Sequence, residues 1–292
     1  MIKKILVIGG SGFVGSHTAD ALSCKGYDVS IYDSTPSPWL RDDQKMIIGN
    51  ILDKESIDKA LLGIDCVFHF AAIADLNESN SSPLDTINHN IMGTANLVQA
   101  SVEAGVERFV YASTMYVYSP YGSFYRATKQ SSEILIEEYC RNFPSIEYTF
   151  LRYGSLYGPR AQEWNGLRGY IEQILSTKKI DYWGTGKEKR EYIHVKDAAN
   201  LSIAILDKNY KNSAITVTGH QAMSSDELIS MIFEITGIAK NINYQASDQN
   251  TGHYSITPYR YSPKTAKKIV PDEFTDLGQG ILDIVEELSS GK

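Results

Sequence analysis

The first fifteen residues constrain the fold most. An apolar run over residues 5–8 passes directly into Gly9-Gly10-Ser11-Gly12-Phe13-Val14-Gly15, and an amphipathic stretch then fills residues 13–24. Gly9, Gly12 and Gly15 allow a tight turn between a strand and a helix. The turn leaves the helix's free N–H groups and the positive end of its dipole open to a pyrophosphate. The leading apolar run stops at Gly9, too early for a secretory leader, and no other stretch approaches the length of a membrane span. The expectation is a cytoplasmic protein with no membrane partner.

The same strand-then-helix rhythm continues. Short β-branched runs recur at 29–32, 46–48, 67–70, 109–112 and 148–151, separated by amphipathic stretches at 56–62, 84–104 and 125–142. Such alternation predicts βαβ units, a parallel sheet and helices on both faces. The expected fold class is therefore α/β, a Rossmann-like doubly wound parallel sheet with a small C-terminal α/β lobe. Residues 1–154, with parts of 190–220, form the dinucleotide-binding domain, and the remainder of 155–292 forms the substrate-binding lobe. Beyond about Gly154 the glycines and prolines cluster and the elements shorten, to 180–183, 215–218 and 225–235, with a final helix over 276–288.

Charge narrows the partners. The 292 residues carry a net charge of −7, and no Lys/Arg cluster makes a nucleic-acid stripe. Cys24, Cys66 and Cys140 are too scattered for a pair, and buried free thiols are the expectation. No His/Cys/carboxylate group has metal-ligand spacing, so no metal is expected.

Asp33 ends the second strand. A carboxylate there accepts hydrogen bonds from an adenosine ribose and repels a 2′-phosphate. Arg41 is the nearest following cation, so NAD is favoured over NADP. Tyr125-Arg126-Ala127-Thr128-Lys129 puts a tyrosine and a lysine on one helix face. The helix follows the fifth strand, on the side of the sheet where ligands bind. Tyr192 and Lys196 repeat the spacing, but Tyr192 lies in a strand, where the two would be over ~12 Å apart. A Lys ammonium about 5 Å from a phenol supplies roughly 3 kcal/mol, about two pKa units, toward making the tyrosine a base. A hydroxyl donor to the same substrate oxygen should come from the preceding strand end. Thr114 is the choice and Ser113 the fallback.

Taken in order, these residues resemble the extended short-chain dehydrogenases/reductases, specifically nucleotide-sugar epimerases and dehydratases. The likeness runs through residues 9–15, Asp33, 49–53, 69–72, 90–94, 125–129, 151–160 and 190–197. It implies a cofactor set of Gly9, Gly12, Phe13, Val14, Gly15, Asp33, Asn50, Ile51, Phe70, Ala71, Ala72, Asn90, Lys129 and Tyr153. Ser113, Thr114, Tyr125, Ser155, Arg190 and Arg260 would meet the substrate. Arg190 matches a family arginine that holds a sugar nucleotide's diphosphate, a role suited to its planar fork. Arg260 is a candidate second phosphate ligand. The likeness also implies a homodimer built on helices near 84–104 and 125–142, with Ile134, Leu135 and Tyr139 offering apolar faces.

Departures refine the function. Sugar 4,6-dehydratases of the family carry Asp-Glu after the catalytic Thr, whereas this chain has Met115-Tyr116, which argues against dehydration and decarboxylation. The segment between Thr114 and Tyr125 is short, leaving the pocket open or closed by other residues. Ser155 stands where many relatives have Asn. The leading reading is an NAD-dependent 4-epimerase of a nucleoside-diphosphate sugar, working through a transient 4-keto sugar. The alternative is a 4-ketoreductase or 4-dehydrogenase using the same residues. A dinucleotide-sensing protein without turnover is the competing non-enzymatic class, and intact Thr114, Tyr125 and Lys129 count against it.

Overall fold

A computed structural model describes residues 2–245 and 253–261; the helix expected over 276–288 lies outside them. The chain opens with β1 (Lys4–Ile8), α1 (Phe13–Cys24), β2 (Asp28–Asp33), β3 (Gln44–Ile48), α2 (Lys54–Ala60) and β4 (Cys66–His69). Next come α3 (Leu76–Ser81), α4 (Pro83–Ile87), α5 (Gly93–Ala104), β5 (Arg108–Thr114), α6 (Ser123–Asn142), β6 (Glu147–Tyr153) and β7 (Ser155–Tyr157). The last described elements are α7 (Gly166–Thr177), β8 (Ile180–Trp183), β9 (Lys189–His194), α8 (Val195–Ala204), β10 (Ser213–Val217), β11 (Ala222–Ser224), α9 (Ser225–Thr236) and β12 (Ile242–Gln245).

Seven strands form one sheet in the order β10-β6-β5-β4-β1-β2-β3, and every pairing in it is parallel. The fold is the Rossmann-like α/β class expected. The chain winds from β1 outward through β2 and β3, then returns to β4 on the other side. The direction therefore switches between β1 and β4, where a doubly wound sheet leaves a crevice beyond its strand ends. The strands are apolar on both faces because both faces are covered. Leu6, Val67, Phe109 and Phe150 pack beneath one helical layer, and Ile5, Val7, Phe68 and Leu151 beneath the other. Strand β10, from the later part of the chain, completes the sheet beside β6.

The smaller sheets have their own core. Strand β9 lies between β11, antiparallel, and β7, parallel, while β12 pairs with β8. Ile174, Ile180, Leu228 and Phe233 pack together beneath them.

The stretch at 84–104 departs from the single helix its periodicity predicts. A π-helical turn, Asn88–Met92, separates α4 from α5. The added width turns the Asn90 side chain inward, onto the backbone of Ile73. Cysteines also divide: Cys66 and Cys140 are buried, but Cys24 is exposed, at the last turn of α1, which corrects the expectation that all three are buried. Among the described residues no helix is long and apolar enough to cross a membrane, and no cluster of His, Cys, Asp and Glu could hold a metal ion.

Candidate active site

The crevice beyond the strand ends is a cleft of about 1340 Å³. Its floor at the end of β1 is the glycine turn. Gly9 has φ +77°, and a Cβ there would lie 2.5 Å from the Ala71 nitrogen. A methyl on Gly15 would run into the Gly9 carbonyl. These contacts let the turn after β1 nest against the end of β4. Gly12 caps α1, which has no side-chain cap and no acid in its first turn, so the helix's first N–H groups are available to an anion. Asp33 sits at the end of β2, where its carboxylate accepts from the backbone nitrogens of Ser11 at 3.0 Å and Thr35 at 3.2 Å. It therefore orders the glycine turn as well as facing the cleft. Arg41, the nearest following cation, is held by Asp43 at 2.8 and 3.0 Å.

Phe13, Val14, Asn50, Ile51, Phe70, Ala71, Ala72 and Tyr153 all line this same cleft, as do Ser113, Thr114, Tyr125, Lys129, Ser155 and Arg190. Two expected residues do not. Asn90 is buried behind the wall, its amide spent on both polar groups of the Ile73 backbone and on the Thr128 hydroxyl. Arg260 is exposed and is not among the residues lining the cleft.

The reacting groups sit at the junction of β5 and α6. Thr114 ends β5, its hydroxyl accepting from the Tyr116 nitrogen at 3.3 Å, and it lines the cleft with Tyr125, whose phenol pKa its side chain pulls down. Ser113 instead donates to Glu133 at 2.5 Å, which leaves Thr114 as the strand-end hydroxyl beside the tyrosine. Lys129 is almost fully buried; its ammonium donates to the Ala112 carbonyl at 2.7 Å and lies 5.8 Å from the Tyr125 ring centre. The electrostatics differ from the sequence expectation. Burial dominates both groups, pushing the Tyr125 phenol up to about 12 and the Lys129 ammonium down to about 7. Desolvation outweighs both the lowering that Thr114 gives Tyr125 and the support that Glu133 gives the Lys129 ammonium.

Three features went unread in the sequence. First, Glu133, one helical turn beyond Lys129, is buried and forms a bidentate pair with Arg152 of β6 at 2.6 and 3.0 Å. It is the group whose charge favours the Lys129 ammonium. The i,i+4 spacing of Lys129 and Glu133 was the readable signal. Second, the short segment after Thr114 is covered by residues from far along the chain. The Tyr116 hydroxyl hydrogen-bonds His253 Nδ1, and the Tyr116 ring lies 4.8 Å from Tyr254 and 6.4 Å from Tyr125. Third, Trp164, just before α7, and Trp183, at the end of β8, reach the cleft. Arg190 stands there too. Its Nε has no hydrogen-bond partner among the described residues, and its guanidinium lies 5.7 Å from the Tyr254 ring. A half-buried guanidinium with an unpartnered Nε facing a cleft fits an anionic ligand.

A sequence model of the NAD dependent epimerase/dehydratase family matches residues 5–218. The chain belongs to that family. It is 29% identical over 83% of its length to the UDP-N-acetyl-alpha-D-glucosaminuronate decarboxylase of Bacillus cytotoxicus, 83% of which it covers. It is 28% identical over 98% of both chains to a Bacillus subtilis protein described as an uncharacterized UDP-glucose epimerase. Among solved structures, the Thermotoga maritima UDP-glucose 4-epimerase superposes with a TM-score of 0.81 at 26% identity, over 89% of this chain and 90% of that one. The Bacillus cereus UDP-glucuronic acid 4-epimerase, solved with UDP-glucuronic acid and NAD, gives 0.80 at 29% identity, over 90% and 95%. The chain is an NAD-dependent enzyme, and the open glycine turn, the uncapped start of α1 and Asp33 fit that cofactor.

Proposed function

We propose that the enzyme epimerises a nucleoside-diphosphate sugar at C4. The observation that carries this reading is one cleft holding Tyr125, Thr114 and Lys129 together with Arg190, whose Nε has no partner among the described residues. Arg190 binds the diphosphate, and the sugar then spans the distance to Tyr125. Ser155 contacts the sugar nucleotide from the start of β7. Arg260, being exposed, is assigned no contact with it. The glycine turn takes the cofactor's pyrophosphate, Asp33 the adenosine ribose, and Asn50, Ile51 and the 70–72 turn the adenine side. Tyr153 lies beneath the nicotinamide end.

NAD, when bound, accepts a hydride from C4 and returns it. The protein's own groups do the rest. The Tyr125 phenol, which burial alone holds protonated, ionises under the positive charge of bound NAD added to that of Lys129; its phenolate oxygen then takes the 4-hydroxyl proton and gives it back after the 4-keto sugar has turned over. The Thr114 hydroxyl donates to the same substrate oxygen. Lys129, anchored on Ala112, holds the nicotinamide ribose. Asn90 is a positioning residue: it ties the Ile73 turn to Thr128 on the helix that bears Tyr125 and Lys129. Met115 is buried and Tyr116 is bonded to His253, so no carboxylate directly follows Thr114 to drive dehydration.

Leu84, Ile87, Met92 and Ile134 are large apolar residues exposed along α4, the π turn and α6, which supports a homodimer through these helices. Leu135 and Tyr139, expected there as well, are half-buried against the core. Buried Cys66 and Cys140 suit a reducing cytoplasm.

The test is to incubate the purified protein with a panel of nucleotide sugars, without added cofactor, and separate the products by mass-resolved chromatography. A product of unchanged mass and new retention supports the reading. A change of two hydrogens appearing only with added NAD or NADH identifies a one-way 4-dehydrogenase or 4-ketoreductase instead.

A further inference from the structure

If the sugar spans the interval between Arg190 and Tyr125, the groups lining that interval select it. From Arg190 the wall runs through Tyr254, 5.7 Å from the guanidinium, to Tyr116, 4.8 Å further, and then to Tyr125. His253 completes it, bonded to Tyr116. The opposite contribution comes from α3. Asn80 of that helix is hydrogen-bonded to Ser123, two residues before Tyr125, so α3 sits over the reacting end. Its Asp75 and Glu78 both line the cleft.

The charge of this interval is one-sided. Asp75 caps α3 through one oxygen, accepting from Asn77 and Glu78 nitrogens at 2.6 and 3.0 Å, and neither Asp75 nor Glu78 has an ion-pair partner among the described residues. The cleft's cations, among the described residues, are already assigned. Arg190 faces the diphosphate, and Lys129 is spent on Ala112. His253 is held down to about 4 by burial and by Arg190, and burial also lowers His89, so both imidazoles are neutral near pH 7.

We propose that Asp75 and Glu78, facing a sugar subsite otherwise walled by Tyr116, Tyr254 and His253, make this enzyme selective for nucleotide sugars with an uncharged C6 and exclude hexuronates. The inference rests on the nucleotide-sugar reading above. A C6 carboxylate in this subsite would lose water, meet no free cation among the described residues and face two carboxylates. A 6-hydroxymethyl group carries no charge to desolvate or repel, and it offsets its lost water by donating a hydrogen bond to a carboxylate. Selectivity of this kind divides the chain from relatives of similar identity that act on uronates.

The experiment compares the binding of UDP-glucose and UDP-glucuronate to the NAD-loaded protein by titration calorimetry, and their turnover in parallel. The expected result is UDP-glucuronate binding weaker by about tenfold or more, equivalent to about 1.4 kcal/mol. Asp75→Asn, which keeps a good helix cap, and Glu78→Gln should each narrow the ratio. Equal or tighter binding of the uronate overturns the inference, as does a ratio that both variants leave unmoved. If neither sugar binds, the inference and the nucleotide-sugar reading fall together, at least for uridine nucleotides. If the ratio holds but neither sugar turns over, the inference stands and the 4-epimerase reading fails.

Discussion

Two residues in the cleft pull against their surroundings. Tyr125 is pushed up to about 12 and Lys129 down to about 7, both chiefly by burial. Tyr125→Phe removes one oxygen, the one assigned to the substrate proton, and should lower kcat by about 10²- to 10⁴-fold, the usual contribution of a positioned acid–base group. Calorimetric NAD affinity should stay near that of the parent; a variant that turns over at the parental rate would remove Tyr125 from the reaction. Lys129 makes its own prediction about stability. Its folded pKa lies below the unfolded value, so below about pH 7 the folded protein bears the full cost of the buried ammonium. Between that value and the ordinary one of 10.5, the folded state has released a proton that the unfolded chain still holds, and this residue's contribution to stability rises with pH. Lys129→Met removes the cost. Its stabilising advantage in urea unfolding should therefore be greater at about pH 6 than at about pH 9, while turnover is lost. An advantage that grows toward alkaline pH would mean that Lys129 is not desolvated.

At the scale of elements, the site depends on α6 being locked to β5 and β6. Glu133 does this from the helix. It accepts from Ser113 at the end of β5 and from Arg152 in β6, and Arg152 donates onward to the hydroxyls of Tyr118 and Tyr261. Breaking one side of a buried pair strands the other charge. Arg152→Met should therefore cost about 3–5 kcal/mol in chemical denaturation, and the double variant Glu133→Leu/Arg152→Met should recover most of it. Additive losses would indicate that the two residues stabilise the protein independently. These elements also mark where sequence reasoning reaches its limit. The strand–glycine–helix start and the Tyr125–Lys129 face were legible because each is local: a turn of seven residues, or one turn of helix. The Arg152–Tyr261 and Tyr116–His253 contacts join residues more than a hundred positions apart, and no periodicity carries that information. The π turn at Asn88–Met92 escaped for a different reason, since the apolar rhythm of 84–104 is continuous and only the inward Asn90 betrays the extra residue.

For the whole molecule, the parallel sheet was readable from strand–helix alternation, and the placing of the cofactor cleft follows from it, because the direction of winding must reverse beside β1. What alternation does not give is which helical face stays uncovered. Ile134 is 62% exposed and Leu84 79%, although the stretch of the one also sends Ile136 into the core and that of the other Leu97 and Val98. Single exposed apolar side chains need no explanation, but four large ones on helices that pack together support the proposed association through this face. Because α6 also carries Tyr125 and Lys129, a dimer there would brace the catalytic helix from its outer side. Ile134→Glu places a charge at the centre of this surface, where its burial would go unpaired. The expected outcome in sedimentation velocity is a shift from dimer to monomer, with a lower thermal midpoint that no longer depends on protein concentration. A parent protein that sediments as a monomer at every concentration would reject the dimer, and an Ile134→Glu variant that remains dimeric would move the interface away from α6.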